Sequence, residues 1–179
     1  TDEITGELLP IGSFEEVFPR YSNQSYLNYE GADWTIRYRL ETLNAGDFYF
    51  NVTSSHILKS ASKFDEYSDE EDALDVYLYE PRSQQNASVN WRYEDWSVTL
   101  FADRTGHMEA YNGTKTDPHI IMNLSTSYRY SPDLSFYLSV RNLEDKMPQK
   151  DAAYGFPYYN RNYFSAFGRY ATVGVNYTF

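Results

Sequence analysis

The chain has 179 residues, no cysteine and a formal net charge of -11. Its length allows one domain with a sizeable core or a piece of something larger, and the absence of cysteine excludes disulfides and thiolate metal sites. The acidic balance leaves no basic patch for nucleic acid. No apolar run approaches the roughly 18 residues of a membrane-spanning helix, which excludes a helical membrane protein but not a β-barrel, whose strands span with about 9–11 residues.

Aromatic residues are unusually frequent, at 18% of the chain, and 19 of them are tyrosines. Tyrosine joins an apolar ring to a polar tip, so it suits the interface of a membrane and a wet ligand-binding surface equally well. Composition leaves both uses open, and the order of residues along the chain has to decide between them.

Alternating side chains predict two strands early in the chain. Trp34–Glu41 carries large apolar residues at every second position with polar residues between them, which is typical of a strand with one apolar face. A short turn at 43–47, with Gly46 suited to positive φ, leads to a second strand at Phe48–Ser55. The acidic segment 59–82 shows no periodicity and is predicted to be a loop.

The same alternation predicts five further strands, at Ala87–Tyr93, Trp96–Asp103, 120–130, 134–142 and 169–179. The first two of these flank a connection of only two residues, which indicates a hairpin. Longer connections lie at 106–118 and 143–168, and the second of these is rich in aromatic residues. Short turns and long loops therefore alternate strictly, as they do in transmembrane barrels.

The two predicted faces differ in what they could contact. Rings collect at the tight-turn end, as an aromatic girdle at a membrane interface would: Phe48, Tyr93, Trp96, Tyr130 and Phe179. The polar face carries more charge than a packed interior could hold without a large desolvation cost: Arg37, Arg39, Asn90, Arg92, Asp103, Asn123, Arg129 and Arg141. We therefore predict an all-β fold, an antiparallel transmembrane β-barrel portion with a wide lumen that is watery or plugged.

The final strand predicts the class of barrel. Its apolar positions alternate up to the carboxyl terminus, where Tyr177 and Phe179 close the pattern. A one-sided strand that ends the chain on an aromatic residue indicates the closing strand of an outer-membrane barrel. Tyr177 and Phe179 are therefore assigned to barrel closure and assembly.

Three segments together resemble the carboxyl-terminal portion of TonB-dependent outer-membrane receptors. They are 139–148, which contains Asn142-Leu143 and ends in Pro148, 168–179, which begins Gly168-Arg169, and the strand–turn–strand segment 90–100. Glu144 stands where the family usually has an aromatic residue, and Ala171 replaces a bulkier one. The resemblance covers roughly residues 26–179.

The resemblance implies about the last seven strands of a twenty-two-stranded barrel, with the plug domain absent from this chain. Residues 1–25 would be an extracellular loop, and 26–179 would hold the strands and the other loops. Since lipid does not tolerate unpaired sheet edges, we expect a fragment of a longer or nicked receptor that pairs with the remainder. The other implied partners are outer-membrane lipid of a Gram-negative cell, the barrel assembly machinery and, through the missing amino-terminal part, the TonB complex.

The resemblance also implies a function without enzymatic chemistry or a cofactor: binding and import of a scarce small-molecule nutrient. A ferric siderophore is the expected substrate, with oligosaccharide or cobalamin as alternatives. Candidate ligand-binding residues lie in the last loop and the lumen: Tyr154, Tyr158, Tyr159, Arg161, Tyr163 and Arg141. Their rings suit catechol or sugar faces, and arginine suits an anionic chelate, although the same rings could instead pack loop against loop.

Two other sets of residues were weighed as sites. The carboxylates of the acidic segment make Asp65, Asp69 and Asp72 a calcium candidate, with a hydrated acidic loop as the simpler interpretation. His56, His107 and His119 lack a nucleophile or a strand-borne carboxylate partner in the sequence pattern, so they are predicted to be ordinary polar surface.

An alternative of a different class is a complete small barrel of eight strands with a structural or adhesive role. Its missing strand would come from residues 8–30. Pro10 and Pro19 and the lack of clean alternation make that segment a poor spanning strand.

Overall fold

A computed structural model describes residues 26–63, 67–72, 74, 81–109, 113–152 and 154–179. The extracellular loop expected at 1–25 and the calcium candidate Asp65 lie outside these residues. Within them no helix is long and apolar enough to cross a membrane. The strands are β1 (Tyr26–Glu41), β2 (Asp47–Lys63), β3 (Glu71–Asp72), β4 (Ser83–Tyr93), β5 (Trp96–Thr105), β6 (His119–Arg129), β7 (Leu134–Arg141) and β8 (Tyr170–Tyr177).

The strands form one antiparallel sheet in which each long strand pairs with the next along the chain. The order is β1-β2-β4-β5-β6-β7-β8, and the short β3 pairs only with β2. Among the described residues β1 and β8 each have a single neighbour, so the sheet is open at both edges. The predicted all-β antiparallel fold and its seven main strands are confirmed.

The register places the predicted apolar residues on one face, called the outer face below. One row across the sheet reads Tyr38, Phe50, Val89, Leu100, Leu124, Val140 and Ala171. Side chains of this face are open to solvent: Ile36 is 60% exposed and Val173 is 74% exposed. Among the described residues the buried apolar side chains are few: Ala61, Leu74, Pro81 and Met108. The apolar residues therefore form a surface that needs an apolar partner, not a core.

The opposite, inner face carries the predicted polar residues. Cross-strand pairing puts all eight of them, six charged residues and two asparagines, on this face: Arg37, Arg39, Asn90, Arg92, Asp103, Asn123, Arg129 and Arg141. Near the tight turns, Arg39 contacts Glu41 and Asp47 at 2.7 and 3.2 Å. The Tyr49 ring lies 5.1 Å from the Arg39 guanidinium on the same face.

The tight-turn end is fixed by backbone geometry and by rings. Gly46 has φ of 81°, and a Cβ there would lie 2.3 Å from the Arg92 carbonyl oxygen, so the turn requires glycine. The Trp96 and Tyr128 rings meet at 4.5 Å between centroids. The Trp91 indole nitrogen donates to the Ala45 carbonyl at 2.7 Å. Clustering of rings at this end, predicted from the sequence, is confirmed.

The prediction of a loop that begins at residue 59 is wrong for residues 59–63, which belong to β2. β1 and β2 continue as a long hairpin to the pair Tyr26 and Lys63, across a register shift at Glu30 and Gly31. Alternation of apolar and polar residues marks a strand only where its two faces meet different surroundings. Where both faces of a strand meet water, the backbone still pairs, but apolar and polar residues need not alternate. Such a strand cannot be recognised from alternation in its sequence.

Candidate functional site

The last loop, 142–169, folds over the inner face near the long-loop end of the sheet. Between this loop and the strands lies a cavity of about 680 Å³. Its wall comes from the inner faces of β5, β6 and β7, and its cover includes Tyr163, Phe164 and Phe167. Because successive strands place every second side chain on this face, residues far apart in sequence meet here.

Arg104 and Arg141 both line this cavity, and Arg141 comes from the inner face. Arg141, the last residue of β7, pairs with Tyr170 of β8, and its guanidinium lies 5.9 Å from that ring. Asp103 lines the same cavity and its charge interacts with that of Arg141, although no direct ion-pair contact joins them among the described residues. The guanidinium is therefore available to an anionic group that enters the cavity.

A hydrogen-bonded clamp holds the base of the loop. Asn142 is only 6% exposed, with φ of 53°. Its backbone nitrogen donates to Asn123 Oδ1 at 3.0 Å. Its amide closes a ring with Lys146, donating to the carbonyl and accepting from the backbone nitrogen, both at 2.9 Å. Asparagine suits this position because it tolerates positive φ and offers both a donor and an acceptor.

The same clamp joins the two ends of the loop. The Arg169 backbone nitrogen donates to Asp145 Oδ1 at 2.6 Å, and Arg169 Nη1 donates to the Leu143 carbonyl at 3.3 Å. A Cβ on Gly168 would lie 2.5 Å from Asp145 Oδ1. The two terminal segments that carry the sequence resemblance thus meet in space, and their motif residues position the loop above the cavity.

His119 corrects one prediction. It was expected on the polar surface, but it is the first residue of β6, only 9% exposed, with its ring 4.9 Å from that of Phe164. Asp117 just before it donates its backbone nitrogen to Gln149 Oε1 at 2.8 Å. The β5–β6 loop therefore packs against the last loop, which the alternation pattern alone could not reveal.

The predicted ligand residues separate into three groups. Arg141 and Tyr163 line the cavity together. Tyr154 lines a smaller space between the last loop and the β5–β6 loop. Tyr158 is half exposed and packs edge-on against Phe156 at 6.0 Å, while Tyr159 and Arg161 lie outside both cavities. The sequence pattern did not identify Phe101 and Tyr170 as cavity residues, although alternation along β5 already placed Phe101 on the inner face. Phe164, which also lines the cavity, belongs to the last loop, whose rings were predicted to contact a ligand.

The described part of the acidic segment makes local contacts. Glu70 accepts from Lys59 Nζ at 2.7 Å and from the Tyr26 hydroxyl at 2.9 Å, and these bonds lower the pKa of the Glu70 carboxyl, the lysine most. Asp72 Oδ1 accepts from the Leu74 nitrogen at 2.9 Å. Among the described residues no three acidic or histidine side chains converge to hold a metal. The calcium site stays a prediction that depends on Asp65.

Comparison with known proteins supports the fold. No family model and no curated protein matches the chain. A crystal structure of a mutant ferric enterobactin receptor from Pseudomonas aeruginosa is similar, with a TM-score of 0.55 and 19% sequence identity. The match covers 84% of this chain and 22% of that receptor, so the chain spans about a fifth of its length. The sheet is thus similar to part of a TonB-dependent receptor barrel.

Proposed function

We propose that the chain forms part of an outer-membrane receptor that binds and imports a scarce nutrient, and that the nutrient is a ferric siderophore. The observation that carries the proposal is the cavity beneath the last loop, where Arg141 faces an aromatic cover without a carboxylate partner among the described residues. At about 680 Å³ the cavity falls within the usual range for small-molecule sites, roughly 300–1,000 Å³.

The chemistry of the cavity favours an anionic, ring-bearing ligand. A ferric catecholate presents flat rings and net negative charge, which match Phe101, Tyr170 and the Arg141 guanidinium. A neutral oligosaccharide would use the rings but leave the guanidinium without a charged partner, which costs affinity. The likeness of the fold to a ferric enterobactin receptor points to the same class of substrate.

The open sheet and its apolar outer face support the rest of the proposal. Further strands of the same receptor would pair with the free edges of β1 and β8, and outer-membrane lipid would cover the outer face. The plug and the TonB complex would act through polypeptide outside this chain, and the terminal strand with Tyr177 and Phe179 would be read during assembly. The small eight-stranded barrel gains no support, because β1 and β8 stand at opposite ends of the described sheet.

Binding of a ferric siderophore tests this proposal. The protein is purified from membranes in detergent and titrated with ferric tricatecholate while tryptophan fluorescence is recorded. We expect Arg141→Gln to weaken binding about tenfold or more, because a charge-assisted contact is lost. Arg37→Gln is the matched control, since it removes an inner-face arginine that does not line the cavity. Binding unchanged by Arg141→Gln, or binding of oligosaccharide alone, would contradict the proposal.

A further inference from the structure

On the seven main strands, the outer face has no charged side chain near the tight turns, and the first one lies toward the long loops. From the tight turns upward, the outer-face positions of all seven main strands are uncharged as far as the row Ile36, Val52, Ala87, Ala102 and Met122. The next row contains Ser54, Gln85 and Arg104. Arg104 is therefore the first charge met on this face when moving from the tight turns toward the long loops.

Hydrogen bonds hold the Arg104 side chain on the outer side. Its Nη1 donates to Ser83 Oγ at 3.3 Å and also contacts Gln85 Oε1. Gln85 Nε2 in turn lies 3.4 Å from His56 Nε2. Arg104 borders the inner cavity as well, but Ser83 and Gln85 alternate with cavity residues and belong to the outer face. These four residues, Arg104, Ser83, Gln85 and His56, form the outer-edge cluster.

The guanidinium has donor capacity left. Only Nη1 makes the contacts above, and among the described residues no carboxylate forms an ion pair with Arg104. An arginine carries five N–H donors in a planar fork that matches the geometry of phosphate. A half-buried guanidinium beside an apolar surface is stabilised when an anion accepts from the remaining donors.

The position of the cluster matches the edge of a lipid bilayer. Arg104 stands eight residues beyond Trp96, the aromatic residue at the tight-turn end of β5. At about 3.3 Å per residue along a strand tilted by about 40°, this separation corresponds to roughly 20 Å across the membrane. The apolar band of an outer-membrane barrel is about 25 Å tall, so the Arg104 backbone lies just inside the upper limit of the band, and its long side chain can reach the headgroups.

We propose that the outer-edge cluster binds the phosphate of a membrane-lipid headgroup, an inference that depends on the membrane location in the proposed function. Ile120, 36% exposed, and Leu100, 41% exposed, lie on the same face and contact the acyl chains. Arg104 engages the phosphate through its free donors, with Ser83 and Gln85 fixing the side chain. A lipid is the source because the phosphate site is continuous with the apolar band.

Lipid retention measured by native mass spectrometry tests this site. The protein purified from membranes in detergent is titrated with phosphatidic acid or with diacylglycerol of identical acyl chains, which lacks the phosphate. We expect at least fivefold tighter retention of phosphatidic acid, and a loss of roughly five- to tenfold in Arg104→Gln. Arg37→Gln removes the same charge from the inner face and should leave retention unchanged.

The outcomes separate this proposal from the proposed function. Equal retention of the two lipids overturns the phosphate site but leaves the proposed contact between the outer face and lipid unaffected. A protein that stays soluble without detergent and retains neither lipid overturns both. Inorganic phosphate that competes as well as phosphatidic acid identifies a free-anion site and overturns the lipid assignment. The comparison of the two lipids uses the unmodified protein, so it does not depend on whether Arg104→Gln folds.

Discussion

The two ends of this sheet use the same residue types for different purposes. At the tight-turn end two inner-face arginines form ion pairs: Arg39 contacts Glu41 and Asp47, and Arg129 lies 3.1 Å from Asp95. At the long-loop end Arg141 has no carboxylate partner among the described residues and faces a cavity. The difference indicates that ion pairs stabilise the tight-turn end, whereas the long-loop end leaves a guanidinium beside a cavity.

The largest expected effect comes from charging the outer face. Leu100→Arg puts a cation near the middle of the apolar band, where lipid-facing arginine costs about 2–4 kcal/mol. Unfolding by urea in lipid vesicles measures the change. Ser127→Arg adds the same charge to an exposed inner-face position and should cost less than about 1 kcal/mol. Equal costs for both variants would mean that the two faces meet the same solvent.

Two glycines, one at each end of the sheet, allow the two ends to be compared by the same substitution. Gly46 in a tight turn and Gly113 in a long loop both have positive φ, 81° and 76°, but only Gly46 has neighbours where a Cβ would stand. We expect Gly46→Ala to cost about 2–3 kcal/mol through strain plus the clash with Arg92, and Gly113→Ala about 1 kcal/mol through strain alone. Thermal unfolding midpoints of the two variants give the order, and a reversed order would contradict the packing described for the turn.

The loop clamp is the next test. Asn142→Ala removes the two hydrogen bonds that the side-chain amide makes with the Lys146 backbone and should cost about 1–3 kcal/mol. Hydrogen exchange across 143–168 should rise, while exchange in β5 stays unchanged. Asn142→Gly keeps the positive φ but loses the amide, so it separates backbone from side-chain effects. Unchanged hydrogen exchange in both variants would show that the Asn142 side chain does not position the last loop.

The smallest effect is a pH dependence at the upper hairpin. Because Lys59 and then Tyr26 lower the pKa of the Glu70 carboxyl, their link stabilises the folded hairpin above the ordinary carboxyl pKa. That contribution is lost as the pH falls through the lowered folded-state pKa. A carboxyl titration by NMR should show Glu70 titrating below its value in Lys59→Met. Identical titration in both proteins would show that the ion pair does not form in solution.

The sequence predicts the parts of the fold in which one face is apolar and the other is polar. Along β5, apolar Val98 and Leu100 alternate with polar Ser97 and Thr99 because the two sides of the strand have different surroundings. The upper hairpin from Tyr26 to Lys63 lacks the contrast and was missed. The cavity was half predicted: alternation places Arg141 on the inner face, but only the fold of the last loop brings Tyr163 above it.

The proposed membrane location requires lipid on the outer face and water on the inner face. The chain has no cysteine, so single cysteines can be introduced and spin-labelled without background. Labels at 97 to 102 along β5 in a bilayer give the accessibility of each position to oxygen, which concentrates in lipid, and to a water-soluble nickel chelate. We predict strict alternation, with oxygen favoured at Val98, Leu100 and Ala102 and nickel at Ser97, Thr99 and Phe101. Equal access of the nickel chelate to both sets would contradict the account.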